Sequence, residues 1–323
     1  MNKRKVVFDC IVIMSAFIVF TLWYSRVYNH ETAVATVTDS ENAVYYLIPH
    51  EFRSEFWQTL NRGVSDMANL LGVSYILKVP QYRDPQDQIK LIQEAVENGA
   101  DVILLGSLDP DVVASAVKDA QSKGVKFIYV DAPGKVEATT TLATDNYQAG
   151  KIAADTIISE LESQGIRSGS IGLLGITPET ITTSERERGF REVIAADNRY
   201  TLLDSVYTKA DTKLAEAAAK EYIDSNQDVV GIFATNEENS VGLGNAIKDS
   251  SKNIVGIGFD LTKTIQDMVR AGYLKAVLVQ NPYTMGYLGM AEAFAAAKGF
   301  NTGPKFINTG VSIVTQYTPR RIN

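Results

Sequence analysis

After residue 42 the chain alternates short apolar runs with helix-length amphipathic stretches almost to its end. Residues 43–49, 75–79, 101–106 and 126–131 read as strands, rich in Val, Ile, Leu and Tyr and bounded by turn-forming residues. Between them residues 56–71, closed by Gly72, and residues 109–123 read as helices. So does the stretch from Asp84-Pro85 to Asn98-Gly99, with Ile89, Ile92 and Val96 on one face. The alternation restarts after Leu142-Ala-Thr-Asp-Asn. Strands are predicted at 171–176, 202–207, 229–235, 254–260, 274–279 and 311–315, and helices at 147–162, 184–196, 213–224, 262–271 and 287–298. Parallel strands joined by right-handed crossovers produce this order. About ten strands exceed one compact unit, and the restart near Asp145 divides them into halves alike in pattern rather than in sequence. The expected fold is α/β, with two doubly wound parallel-sheet lobes. A single eight-fold barrel is disfavoured by the strand count and the restart.

In open parallel sheets ligands gather at the carboxyl ends of the strands. His50, Asp131, Asn236, Asp260 and Gln280 each follow a predicted strand there. Phe56 and Trp57 open the first helix, and Arg186 lies at the start of the helix after the fifth strand. Carboxylates, amides and a guanidinium each hold hydroxyls, and aromatic faces cover the C–H side of a sugar ring. The set reads as a carbohydrate site, with His50 at its rim. Each member has an ordinary reading beside the functional one. Asp131 could start a turn, Arg186 could be one of four solvated charges with Glu185, Glu187 and Arg188, and Phe56 or Trp57 could belong to the core.

The 323 residues carry a net charge of −7, which weighs against nucleic acid as a partner. One Cys excludes an internal disulfide, two His leave little for a metal site, and no cofactor is implied. The N-terminus adds a separate feature. MNKRK precedes residues 6–24, apolar apart from Asp9, Ser15 and Thr21. A helix of that length spans about 28 Å, enough to cross a bilayer core. The basic cluster orients the N-terminus inside and the rest outside the cytoplasm. The expectation is an uncleaved single-pass transmembrane helix in the cell membrane, with residues 25–42 as a tether. Cleavage after Ala33-Val34-Ala35 is the alternative.

From about Ala43 onward the motifs EFW, DPDVVASAVKDAQSKGVKFIYVD, TDNYQAGKIAADTI, SERERGF, IFATNEENSVGLGNAI, IVGIGFD and LVQNPYTMGY together resemble the type I periplasmic sugar-binding proteins, close to the ribose-binding branch. The resemblance implies an N-terminal lobe of residues 43–144 plus 281–307, a C-terminal lobe of 145–280 plus 308–323, and hinge strands near Thr144, Gln280 and Asn308. It assigns Phe56 and Trp57 to stacking and Asp131, Arg186, Asn236, Asp260 and Gln280 to sugar hydroxyls. The chain departs from the ribose-binding pattern at three places. Ala132 stands where that pattern has Arg, Ser54 where it has Asn, and a second stacking aromatic near Ala210 is missing, although Tyr207 is close by.

The expected function is binding of a monosaccharide, a pentose such as xylose, without catalysis. A glycosidase using Asp131 and Asp260 as paired carboxylates is the competing chemistry, but no nucleophile–base pair accompanies them. Sugar-responsive repressors share these lobes but carry a helix-turn-helix where this chain has its apolar span. The retained anchor resembles membrane-held sugar receptors that present ligand to a sensor histidine kinase. A permease of a sugar ABC transporter is the alternative partner.

Overall fold

The computed structural model describes residues 43–300 and 303–318. The anchor expected over residues 6–24 and the tether over 25–42 lie outside the described residues. Among the described residues no helix is long and apolar enough to cross a membrane.

Two sheets organise the chain. The first contains β1 (Tyr45–Ile48), β2 (Tyr75–Leu77), β3 (Val102–Leu105), β4 (Lys126–Val130), β5 (Thr140–Ala143) and the late strand β12 (Phe306–Asn308). Their order is β12-β5-β4-β3-β1-β2, all parallel. The second contains β6 (Gly169–Gly175), β7 (Tyr200–Leu202), β9 (Val229–Ala234), β10 (Val255–Phe259), β11 (Ala276–Gln280) and β13 (Val311–Thr315), with β8 (Val206–Tyr207) paired to β6. Its order, β13-β11-β10-β9-β6-β7, repeats that of the first sheet strand for strand. Apart from the added β8, only the outermost strand differs: β12 runs parallel to its neighbour and β13 antiparallel.

Helices cover both faces of each sheet. In the first lobe α1 (Glu55–Leu71) shares a core with Tyr45, Leu47, Leu104 and Val130, while α2 (Pro85–Glu97) and α3 (Ala114–Ser122) bury Ile48, Ile103 and Phe127 on the opposite face. In the second, α4 (Asn146–Ser163) and α5 (Ile181–Ala195) cover one face. The other is covered by α6 (Thr212–Ser225), α7 (Glu237–Asp249) and α8 (Lys263–Ala271). The strands are apolar on both faces because both are covered, which is why their sequences read as continuous hydrophobic runs.

The chain passes between the sheets three times, after β5, β11 and β12. The crossings are hydrogen-bonded to one another. The Thr144 hydroxyl donates to Gln280 Oε1 at 2.8 Å, the Asp145 N–H to Asn308 Oδ1 at 3.2 Å, and Asn281 Nδ2 to Thr309 O at 2.7 Å.

Several boundaries differ from the periodic reading. Strand β5 falls in Thr140-Thr-Leu-Ala, whose polar character hides it, although Thr140 is buried with its hydroxyl donating to Pro304 O at 2.7 Å. The run at 202–207 is two short strands, β7 and β8, separated at 203–205. Helix α3 begins at Ala114 rather than Asp109, because the Asp109 side chain instead accepts from the N–H groups of Asp111 and Val112 in a turn. The last helix, α9 (Pro282–Ala297), begins five residues earlier than Tyr287, with Pro282 in its first turn, where a missing N–H costs nothing.

Helix α9 lies against α1 with a glycine on each side. A Cβ at Gly63 would stand 2.2 Å from Tyr283 O, and one at Gly286 1.9 Å from Leu60 O. The two backbones touch, so the returning chain is seated by contact that a side chain would abolish. Gly286→Ala is expected to destabilise the fold by about 1–3 kcal/mol. Thermal melting of the variant against the wild type checks this, and an unchanged melting temperature would contradict the close approach.

Candidate ligand-binding site

The carboxyl ends of the two sheets face each other across a cleft. Asp131 follows β4 and Asp260 follows β10, the equivalent strands of the two sheets. Both adopt the left-handed backbone conformation, with φ of 66° and 69°. Each still donates its N–H to the next strand, Asp131 to Leu142 O at 2.9 Å and Asp260 to Leu278 O at 2.8 Å. Non-glycine residues avoid this region, at about 1–3 kcal/mol each, and strain of this sort gathers at functional sites.

Buried polar side chains hold the strand tips in place. In the first lobe Gln88 of α2 donates to Gly106 O at 2.8 Å and accepts from the Leu108 N–H at 3.0 Å. In the second, the single hydroxyl proton of Ser240 of α7 is shared between Asn236 O at 2.7 Å and Phe259 O at 2.9 Å, and its oxygen accepts from the Phe259 N–H at 2.7 Å, tying the ends of β9 and β10 together.

The inner cavity between the lobes measures ≈ 70 Å³ and is lined by all seven predicted residues. A wider groove of ≈ 830 Å³ on the flank shares Phe56, Glu237, Asp260 and Gln280 with the cavity but touches neither Asp131 nor Arg186. The larger space is therefore an outer approach, and the chemistry lies in the smaller one.

Arg186 is 3% exposed, in the second turn of α5. The neighbouring charges in its sequence, Glu185 and Arg188, instead pair with each other at 2.6 Å on the surface. The Arg186 guanidinium lies 3.6 Å over the Phe259 ring, donates through Nε to Asn146 Oδ1 at 2.8 Å and through Nη1 to Thr235 O at 2.7 Å. Burial lowers its pKa, opposed by the charges of Asp260 and Asp131. Asp131 accepts no hydrogen bond from the described residues, so its oxygens are free for a donor. Gln280 uses both ends of its amide, accepting from Thr144 and donating to Asp260 Oδ1 at 2.8 Å. It forms a wall and a hinge support at once. Asn236 caps α7, accepting from the Asn239 N–H at 3.4 Å, and donates to Glu238.

The aromatic pair divides. Trp57 is 3% exposed and sits in the first lobe's core, so tight against Gly106 that a Cβ there would lie 2.3 Å from the indole. Phe56 is half-buried and lines both the cavity and the flank groove. Ser54 caps α1. Tyr207 does not reach the cavity; its hydroxyl donates to Glu187 at 3.1 Å and its ring packs on Gly175.

Other lining residues were not singled out in the sequence. Arg83 comes from the loop before α2, Ile176 from the end of β6, and Thr182 and Thr183 from the start of α5. Glu237 and Glu238 follow Asn236, which was the only available signal for them. His50, assigned to the rim, is 9% exposed and lines the cavity. Among the described residues no cluster of His, Cys, Asp and Glu is arranged to hold a metal ion.

Five carboxylates, Glu51, Asp131, Glu237, Glu238 and Asp260, line the cavity against two guanidiniums, Arg83 and Arg186. Burial pushes Asp131 up to about 7, with Arg186 and Arg83 pulling it down and Asp260 pushing it further up. His50 also faces it, its Nε2 3.8 Å from Asp131 Oδ2. Burial pushes Glu237 up to about 8, reinforced by Asp260, Glu238, Glu55 and Glu51. These values belong to the cleft with its carboxylates buried, the closed form; an opened cleft would return the groups to water and to the usual carboxylate range. The closed form therefore holds more protons than the open one. Closure without ligand is favoured at low pH and weakens as the pH rises through about 7 and 8. The sugar-free protein should show a larger radius of gyration by small-angle scattering at about pH 8.5 than at about pH 5.5, and Asp131→Asn with Glu237→Gln should flatten that dependence. A radius that does not change with pH would count against it.

A family model for a periplasmic binding protein domain matches residues 45–301. The chain is 27% identical over 200 residues to the ribose import binding protein RbsB of Bacillus subtilis, covering 61% of this chain and 63% of that one. It is 30% identical over 198 residues to the protein of the same name from Haemophilus influenzae, covering 61% and 66%. These matches thus span a little under two thirds of the relatives' length. A solved carbohydrate transporter solute binding protein from Agrobacterium radiobacter, in complex with D-arabinose, superposes with a TM-score of 0.80 at 26% identity, over 86% of this chain and 96% of that one. None of these names describes an enzyme. With its two lobes, its hinge and its facing aspartates, the chain belongs to the periplasmic binding protein domain family.

Proposed function

We propose that the protein binds a neutral monosaccharide, a pentose such as xylose, between its lobes and closes on it. The observation that carries this reading is the inner cavity in which two aspartates with left-handed backbones, one from each lobe, meet an arginine and the half-buried aromatic Phe56. The excess of carboxylates disfavours phosphates and sugar acids, and hydroxyl groups suit acceptors of this kind. Asp131, Phe56 and Trp57 stand on the first lobe, and Arg186, Asn236 and Asp260 on the second. A ligand touching both sets binds the closed state more tightly, and that difference drives closure.

The occupied form is read by a membrane partner. The apolar stretch at residues 6–24 behind MNKRK supports an anchored receptor working with a sensor histidine kinase. The names of the import binding proteins support the second reading, delivery to an ABC permease.

Calorimetry against pentoses, hexoses, sugar phosphates and amino acids tests the ligand class. Heat is expected with a pentose and none with a sugar phosphate; heat from amino acids alone would overturn the reading. Asp260→Ala is expected to weaken binding by roughly 1.5–3 kcal/mol through loss of a charge-assisted acceptor. Co-purification of the full-length protein with its membrane partners, with and without sugar, separates the two outputs. A kinase whose recovery depends on sugar supports sensing, and a permease with its ATPase supports transport.

A further inference from the structure

The flank groove, ≈ 830 Å³ against ≈ 70 Å³ for the inner cavity, falls in the range of about 300–1,000 Å³ in which small ligands are held. Its floor is the edge of the second sheet. Ser312 on β13 pairs in register with Val279 on β11, and Val314 with Val277, so Ser312 and Val314 share the face that the sheet turns towards α8. One wall is α8, with Gln266 and Val269. The other belongs to the first lobe, with Phe56 of α1 and Tyr283 and Thr284 of α9. Among the described residues the side chains of Gln266, Thr284 and Ser312 have no hydrogen-bond partner, although Gln266 and Thr284 are half-buried. The two cations along the groove are already committed: Lys263 pairs with Asp267, and Arg270 Nη1 lies 3.8 Å from Asp267 Oδ1. Neutral amides and hydroxyls beside half-buried valines and the exposed Tyr283 ring suit the hydroxyl edges and C–H faces of sugar units. They offer little to a phosphate or a carboxylate.

The groove joins the inner cavity along Phe56, Glu237, Asp260 and Gln280, which line both. We propose that it is a second carbohydrate subsite, and that the ligand class therefore includes short neutral glycosides whose terminal sugar sits in the inner cavity while the next unit lies in the groove. The proposal rests on the sugar-binding reading above and widens the ligand class that reading implies. The free amide of Gln266 and the free hydroxyls of Thr284 and Ser312 take the hydroxyls of the second unit, and the valine floor takes its C–H face. Because the walls come from different lobes, the second unit adds contacts to both, and so favours the closed form beyond what the first unit does alone.

The test is calorimetry of the best-binding monosaccharide, its methyl and phenyl glycosides and its differently linked disaccharides, on the wild type, Gln266→Ala and Ser312→Trp, each first shown to melt cooperatively. The quantity read is the ratio of disaccharide to monosaccharide affinity within each protein, which cancels any general change in closure. On the wild type at least one linkage should bind about tenfold more tightly than the monosaccharide, as one or two added hydrogen bonds give. Gln266→Ala should lower that ratio. Ser312→Trp, whose side chain enters the groove from its floor, should bring the disaccharide below the monosaccharide. If every disaccharide gives no heat while the monosaccharide binds, the groove is no subsite and the proposal fails. It also fails if the methyl glycoside matches the disaccharide and neither substitution moves the ratio, because the second unit then hangs in water. A phenyl glycoside that gains affinity where no disaccharide does would assign the groove to an apolar aglycone and overturn the carbohydrate assignment. These three outcomes leave monosaccharide binding itself intact. A wild type that gives no heat with any sugar removes both readings.

Discussion

The side-chain amide of Gln280 is the joint on which the two-lobed arrangement depends. Its oxygen accepts from Thr144, at the first crossing between lobes, and its nitrogen donates to Asp260, in the cleft. Gln280 itself ends β11 at the second crossing. One buried residue thus couples two of the three connecting strands to the site. The third crossing is joined through Asn308, whose Oδ1 accepts from the N–H groups of Asp145 and Gly310. Any motion between the lobes would fall on a few dihedrals around these residues, because the sheets on either side are close-packed.

The two lobes solve the same problem with different residues. Each ends its fourth strand in an aspartate held left-handed, and each braces neighbouring strand tips with a buried polar side chain, Gln88 in one and Ser240 in the other. The repetition places two carboxylates in one cleft, where Asp131 is buried and Asp260 nearly so. Burial works against their charge, and Arg186, fixed by Asn146, Thr235 O and Phe259, supplies the principal compensation. The protein by itself therefore compensates these charges only in part. The hydroxyl-bearing ligand proposed above would complete that compensation without adding charge, and would do so best with the lobes together.

Much of this was legible in the chain. Strands covered on both faces appear as uninterrupted apolar runs, and their alternation with helical periods specified the parallel α/β class and the division into halves. Asp131, Asn236, Asp260 and Gln280 could be placed at strand tips because topology puts every such tip on one side of a parallel sheet. Strand β5 was not legible from periodicity, and only the resemblance put a hinge strand near Thr144, since a buried threonine satisfied by Pro304 O has the same letter as an exposed one. Strand β12 pairs with β5 across more than 160 residues of sequence, and a three-residue segment has no period to betray it.

The chain alone thus determined the fold class, the side of each sheet that carries the site, and most of the residues offered there, because these follow from local periodicity and connectivity. Tertiary structure alone decided which charges are buried. Arg186 points into the cleft while Arg188, two residues on, pairs with Glu185 at the surface. It also decided that Trp57 enters the core while Phe56 faces the cavity, that Arg83 reaches the site from a loop without pattern, and that His50 is sealed in with one nitrogen unpartnered. Burial and hydrogen-bond satisfaction depend on atoms brought together from distant parts of the chain, and no local pattern of hydrophobic and polar residues encodes them.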